Sequence, residues 1–118
     1  MMNNPYQIAS VQTMPLNLQL AALHERGSHF CRQIARHYAA GDAQSARADI
    51  RQLQDLLTFL RSSLDRSTDV AMRTDQTYEF YYRMAVRWYL EKQLPDDEYD
   101  AIVKFFESWA DTWKKVRV

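Results

Sequence analysis

The sequence predicts an all-α protein: an antiparallel up-down four-helix bundle with a short N-terminal segment packed on it. Three observations predict it. Apolar residues recur at steps of three and four along four long stretches. Glycine and proline are scarce, two and three in 118 residues, which leaves little material for hairpins. The breaks between the stretches are short and rich in capping residues, and short connections force consecutive helices to run antiparallel.

Residues 1–14 carry no long periodic pattern. Tyr6, Ile8 and Val11 could form the apolar side of one short helical turn, and the segment otherwise reads as an extended tail. Pro15 suits a helix start. From there Leu20, Leu23, Gly27, Phe30, Ile34 and Tyr38 mark one face of a first helix, which Gly41-Asp42 ends. The second helix has the most regular seam: Ala46, Ile50, Leu53, Leu57, Leu60 and Leu64, widened by Leu56. Asp65 to Asp69 then breaks the pattern with capping residues.

The third helix spans about Asp69 to Glu91 and carries two kinds of apolar residue. Tyr78, Tyr81, Ala85 and Trp88 share a face suited to a core. Phe80, Tyr82, Met84 and Tyr89 lie outside it. One row is charged, Asp75, Glu79, Arg83 and Arg87, with Glu79 four residues before Arg83 in the favourable order for a helical ion pair. Pro95 followed by Asp96, Asp97 and Glu98 opens the fourth helix, where acids face the positive end of the dipole. Tyr99, Ile102, Phe106, Trp109, Trp113 and Val116 form its seam, with Val103 and Phe105 off it. Lys114, Lys115 and Arg117 complement the negative end.

The length fits one domain over 1–118, divided into the tail 1–14 and the bundle 15–118. Fifteen basic and fifteen acidic residues cancel, which argues against a nucleic-acid partner, since that needs a concentrated basic face. Cys31 is the single cysteine, so no internal disulfide can form. Residues 1–23 hold no charge but also lack the basic start and continuous apolar core of a signal peptide, and no stretch is long and apolar enough to span a membrane. A cytoplasmic protein without membrane association is the expectation.

Catalytic and metal chemistry find no support. His24 and His29 are five apart, whereas a zinc helix needs histidines four apart, so both are expected at the surface or its boundary. Cys31 reads as a small helix hydrophobe. No Glu-x-x-His, calcium loop or phosphate loop is present. The expectation is a non-enzyme with no cofactor and no metal, whose function lies in a surface. Aromatics make up 13% of the chain, more than one buried stripe per helix needs. Phe80, Tyr82, Met84, Tyr89 and Phe105 are therefore expected to form a partly exposed client-binding groove. Each such contact stabilises a complex by roughly 1.5–3 kcal/mol. Several would offset the ordering of a disordered segment, about 2–5 kcal/mol.

With the helices placed, the chain resembles the flagellar secretion chaperones of the FliS family. Asn4-Pro5-Tyr6 and Ser10-Val11-Gln12-Thr13 look like that family's opening motifs. His29-Phe30, the Gly41-Asp42 turn, Gln54 with Leu57, Leu60 and Leu64, Tyr78-Glu79-Phe80, and Trp109 to Trp113 fall at similar places. There are departures. A second N-terminal tyrosine is missing, the proline of Met14-Pro15 is displaced by one, and the family's Leu-Tyr-Asp/Asn-Gly stands here as Leu23-His24-Glu25-Arg26. The resemblance implies a bundle that holds the disordered C-terminal segment of flagellin and prevents its premature polymerisation. Other flagellar export components are further partners it suggests. It also implies that the N-terminal segment, here with Tyr6, Ile8 and Val11, covers the groove until the client displaces it. The chaperone itself would be a monomer or weak homodimer. The alternative reading is a homodimeric structural or regulatory bundle with no secretion client, its surplus aromatics buried between two copies.

Overall fold

The computed structural model describes residues 15–116, and the tail residues Tyr6, Ile8 and Val11 lie outside them, as does Arg117. Four helices follow one another: α1 (Leu16–Ala39), α2 (Ala43–Ser62), α3 (Asp69–Glu91) and α4 (Asp96–Lys115). No strand occurs among the described residues. The fold is the four-helix bundle that the periodicity predicts, with boundaries where the capping residues place them.

Each turn has a local cause. Gly41 takes φ 74°, a left-handed conformation that carries no penalty for glycine. Asp42 then caps α2, its carboxylate accepting from the Ser45 amide at 3.1 Å. Thr68 caps α3 by accepting from the Ala71 amide at 3.1 Å. α3 ends at Lys92, a non-glycine residue at φ 54°. Pro95 precedes α4, and Asp96, Asp97 and Glu98 occupy its first turn.

α1 packs closely against both α4 and α2, and α2 packs against α3. Between α3 and α4 the backbones do not approach in this way, and side chains close the seam instead. The core is formed chiefly by Ile34 of α1, Ile50, Leu53, Leu56, Leu57 and Leu60 of α2, Trp88 of α3, and Ile102 and Phe106 of α4. Gly27 is what lets α1 and α4 come so close: a Cβ there would stand 2.5 Å from two ring carbons of Phe106.

Two polar networks fix the α3 edges. Arg61 Nε donates to Asp75 Oδ1 at 2.9 Å, and Arg66 pairs with Asp75 Oδ2 at 3.1 Å. Asp75 is thus buried between two arginines. The Arg61 guanidinium holds its carboxyl below the usual carboxylate range. Glu79 and Arg83 do form the expected pair, at 2.6 Å.

At the α3–α4 turn Glu98 accepts from Arg87 at 2.5 and 3.0 Å and from the Trp88 indole at 2.9 Å. The Arg87 guanidinium, then the indole, depress its carboxyl pKa below the ordinary 4.5. A depressed acid stabilises the fold above its unfolded pKa, and that contribution is lost as pH falls from about 4.5 through the lower folded value. Glu98→Gln should cost about 1–2 kcal/mol at neutral pH. It should also flatten part of the stability loss below pH 4.5, read by urea unfolding across a pH series.

A candidate docking groove

The residues first expected to form a groove do not converge. Met84 is 4% exposed and belongs to the core, because its position on α3 falls between the core face and the α4 side. Tyr89 sits on the opposite flank of α3, against α2. Arg47 and Arg51 lie over its ring at 4.7 and 5.3 Å, and Arg51 also donates to its hydroxyl. Tyr82 is half-buried and nearly the same way round the helix as Tyr89, seven residues on. Phe80, in contrast, is 61% exposed. Its ring packs at 5.3 Å on Tyr81, which packs at 4.8 Å on Phe105, which meets Tyr78 edge-on at 5.8 Å. Phe80 and Phe105 therefore belong to one aromatic ladder along the α3–α4 seam.

That ladder runs into a cleft of about 380 Å³ at the end of the bundle where α1 begins and α4 ends. All four helices contribute: Leu20 and His24 from α1, Leu60 and the following Leu64 from α2, Val70, Ala71, Thr74 and Tyr78 from α3, and Trp109 and Trp113 from α4. Asp65 and Thr68 stand at its loop rim. Its size is in the range of ligand pockets, and its walls are mostly apolar. The wall carrying Trp113 is tied to α1 by Asn17, whose amide donates to the carbonyls of Trp113 at 3.1 Å and Val116 at 2.8 Å. These bonds satisfy two of the carbonyls a helix end leaves orphaned. They also bring the start of α1, and so the point where the N-terminal tail joins, beside the cleft.

Sequence reasoning missed these wall residues because periodicity puts them on the seams. Leu20, Leu60, Leu64, Tyr78, Trp109 and Trp113 all continue core stripes, and among the described residues these stripes end in the cleft. The one local signal was the breadth of the capping segment Asp65 to Asp69, which separates α2 from α3 and leaves room between them.

His24 corrects a further expectation. It is fully buried, not at the surface, because it shares the inner face of α1 with Leu20, Gly27 and Cys31, whereas His29 is exposed. Its Nδ1 lies 2.7 Å from the Leu20 carbonyl oxygen. A carbonyl can only accept, so Nδ1 carries the proton. Nε2 then accepts from the Tyr78 hydroxyl at 2.8 Å. Phe105, Phe106 and Trp109 surround the imidazole at centroid distances of 6.1 to 6.4 Å. Burial in this shell pushes the His24 pKa below 6.5 and the Tyr78 hydroxyl pKa up. No buried side-chain nitrogen or oxygen among the described residues lacks a hydrogen-bond partner. The cleft floor thus presents ring surface, with its polar atoms already satisfied.

Other concavities are less suited to an apolar guest. Between α1 and α4 a cleft of about 370 Å³ is lined by Glu25, Arg32, Glu107 and Lys114, whose charges pair across it. Near the α3–α4 turn a cleft of about 450 Å³ mixes Tyr38, Leu94 and Tyr99 with Lys92 and Asp96. Cys31 is buried and its thiol is pushed up to about 12, which leaves it inert. No cluster of three or more metal-ligating side chains occurs among the described residues, and none of their helices is long and apolar enough to cross a membrane.

Fold and site together define a four-helix bundle with a mostly apolar cleft at one end. The sequence model of flagellar protein FliS matches residues 1–118, the whole chain. The chain belongs to the FliS family, a family of flagellar chaperones. No curated protein matches it.

Proposed function

We propose that this protein is a cytoplasmic, non-enzymatic export chaperone that binds the disordered C-terminal segment of flagellin and prevents its premature polymerisation. The observation that carries the reading is the apolar cleft bounded by all four helices, with Trp109 and Trp113 in its wall and Val70 69% exposed at its edge. An amphipathic client segment would seat its largest apolar residues there, in the helix-in-groove mode. It would then continue along the α3–α4 seam over Phe105 and Phe80. Of the five residues first expected to meet the client, these two lie on that route. Tyr82 and Tyr89 face α2, and Met84 supports the seam from inside.

The family resemblance extends the proposal to the N-terminal segment. α1 begins beside the cleft, and Tyr6, Ile8 and Val11 of the preceding sequence are apolar groups that would cover it until a client displaces them. Other export components are candidate later partners of the loaded chaperone.

Calorimetric titration with a flagellin C-terminal peptide tests the reading. Saturable binding at micromolar concentration with a negative heat-capacity change, the mark of apolar burial, is expected. No binding at tens of micromolar, or equal binding of a scrambled peptide, would remove it. Occlusion of Trp109 and Trp113 in a concentration-independent dimer would favour the homodimeric bundle instead.

A further inference from the structure

We propose that His24, through its hydrogen bond to Tyr78, makes the grip of the cleft on its client depend on a proton, so that acidification loosens the complex. The proposal rests on the docking reading above. It begins from the placement of a histidine, His24, in the cleft floor. Its neutral form fits. Nδ1–H donates to the Leu20 carbonyl, and Nε2 accepts from Tyr78.

A second proton would go onto Nε2, and the Tyr78 hydroxyl would then have to turn its own hydrogen away and accept. Both residues line the cleft, so the cleft is the open side toward which that hydrogen can turn. With the cleft empty, water can receive it. An apolar client seated there removes the water and leaves a charged imidazolium and a donor without an acceptor, both penalised by burial. The bound state therefore disfavours the protonated form more than the free state does. By linkage, affinity falls as pH drops, by at most tenfold per pH unit for one proton.

Among the described residues no other group around His24 supplies this dependence. α2 contributes Leu60, Ser63 and Leu64 to the cleft, and α4 surrounds the ring with Phe105, Phe106 and Trp109, none of which titrates in this range. On α3 the facing group is Tyr78. At the rim is Asp65, whose carboxyl is held below the usual range by hydrogen bonds from Ser67. Glu25, the neighbour on α1, points outward and pairs with Lys114 of α4.

The test is calorimetric titration of the flagellin C-terminal peptide into the full chain between pH 7.5 and 5.0, in two buffers of different ionisation enthalpy. Kd should rise several-fold over this range, with protons released on binding in increasing number as pH falls. His24→Phe should flatten the profile, and Asp65→Asn should leave it intact. Because His24→Phe strands the Tyr78 hydroxyl, the His24→Phe/Tyr78→Phe pair, which removes both polar atoms, is run beside it. The buffer comparison reads the wild-type protein without any variant. Binding with an unchanged Kd and no proton release overturns the proposal and leaves the docking reading standing. A profile equally steep in the double variant overturns it too. Absence of binding at every pH removes the docking reading itself.

Discussion

Gly27→Val should lower the stability of the bundle by about 3 kcal/mol, the upper end of the usual overpacking range. The reason is geometric. A Cβ at Gly27 meets the Phe106 ring at 2.5 Å, and that ring is fully buried among core side chains, so it has no free space to swing into. Gly27→Ala is the graded version. Alanine gains about 0.8–1 kcal/mol of helix propensity over glycine. The clash should exceed that gain, leaving a smaller net loss. Phe106→Leu added to Gly27→Ala should recover part of the difference, giving a coupling term in a double-mutant cycle by urea denaturation. Gly27→Ala that stabilises the protein would show that α1 and α4 are not held at this distance.

This glycine shows how far periodicity could be read. Its place on the inner face of α1 was legible, because it falls in step with Leu23 and Ile34. That it governs the approach of α4 was not, since its partner lies 79 residues away on another helix. The helix limits were legible for a local reason: Asp42, Thr68 and Pro95 act within one turn of themselves. The partner of Glu98 was not, because an acid in a first turn is explained by the dipole alone until the Trp88 indole is seen beside it.

The site divides in the same way. A surplus of aromatic surface could be counted from the composition, but its direction could not be assigned. Phe80 and Tyr82 are two residues apart, yet one faces the α4 side and the other the α2 side. Met84, four residues from Phe80, is drawn into the core by the wide space between α3 and α4. The cleft is made of seam residues whose stripe outruns the elements that cover it, a property of the end of a bundle and not of any helix taken alone.

The second large effect concerns that cleft. Val70→Asp should weaken binding of the flagellin peptide about tenfold, or about 1.4 kcal/mol. Adding Trp113→Ala should take the loss beyond about a hundredfold, since buried tryptophans dominate such interfaces. Val70 suits the test because it is 69% exposed and stands in the first turn of α3, where an aspartate also complements the helix dipole. The fold should therefore be unharmed, and melting curves check this. Phe80→Asp, further along the seam, should have a smaller effect. Full affinity in the Val70→Asp/Trp113→Ala protein would place the client elsewhere.

The most direct measurement uses the three tryptophans, because the fold has already sorted them. Trp109 and Trp113 line the cleft, whereas Trp88 is fully buried with its indole bonded to Glu98. In an NMR titration of the intact chain with the flagellin C-terminal peptide, the indole N–H signals of Trp109 and Trp113 should move, saturating together, while that of Trp88 stays in place. Saturable binding that leaves Trp109 and Trp113 unmoved would contradict the assignment of the cleft as the docking site.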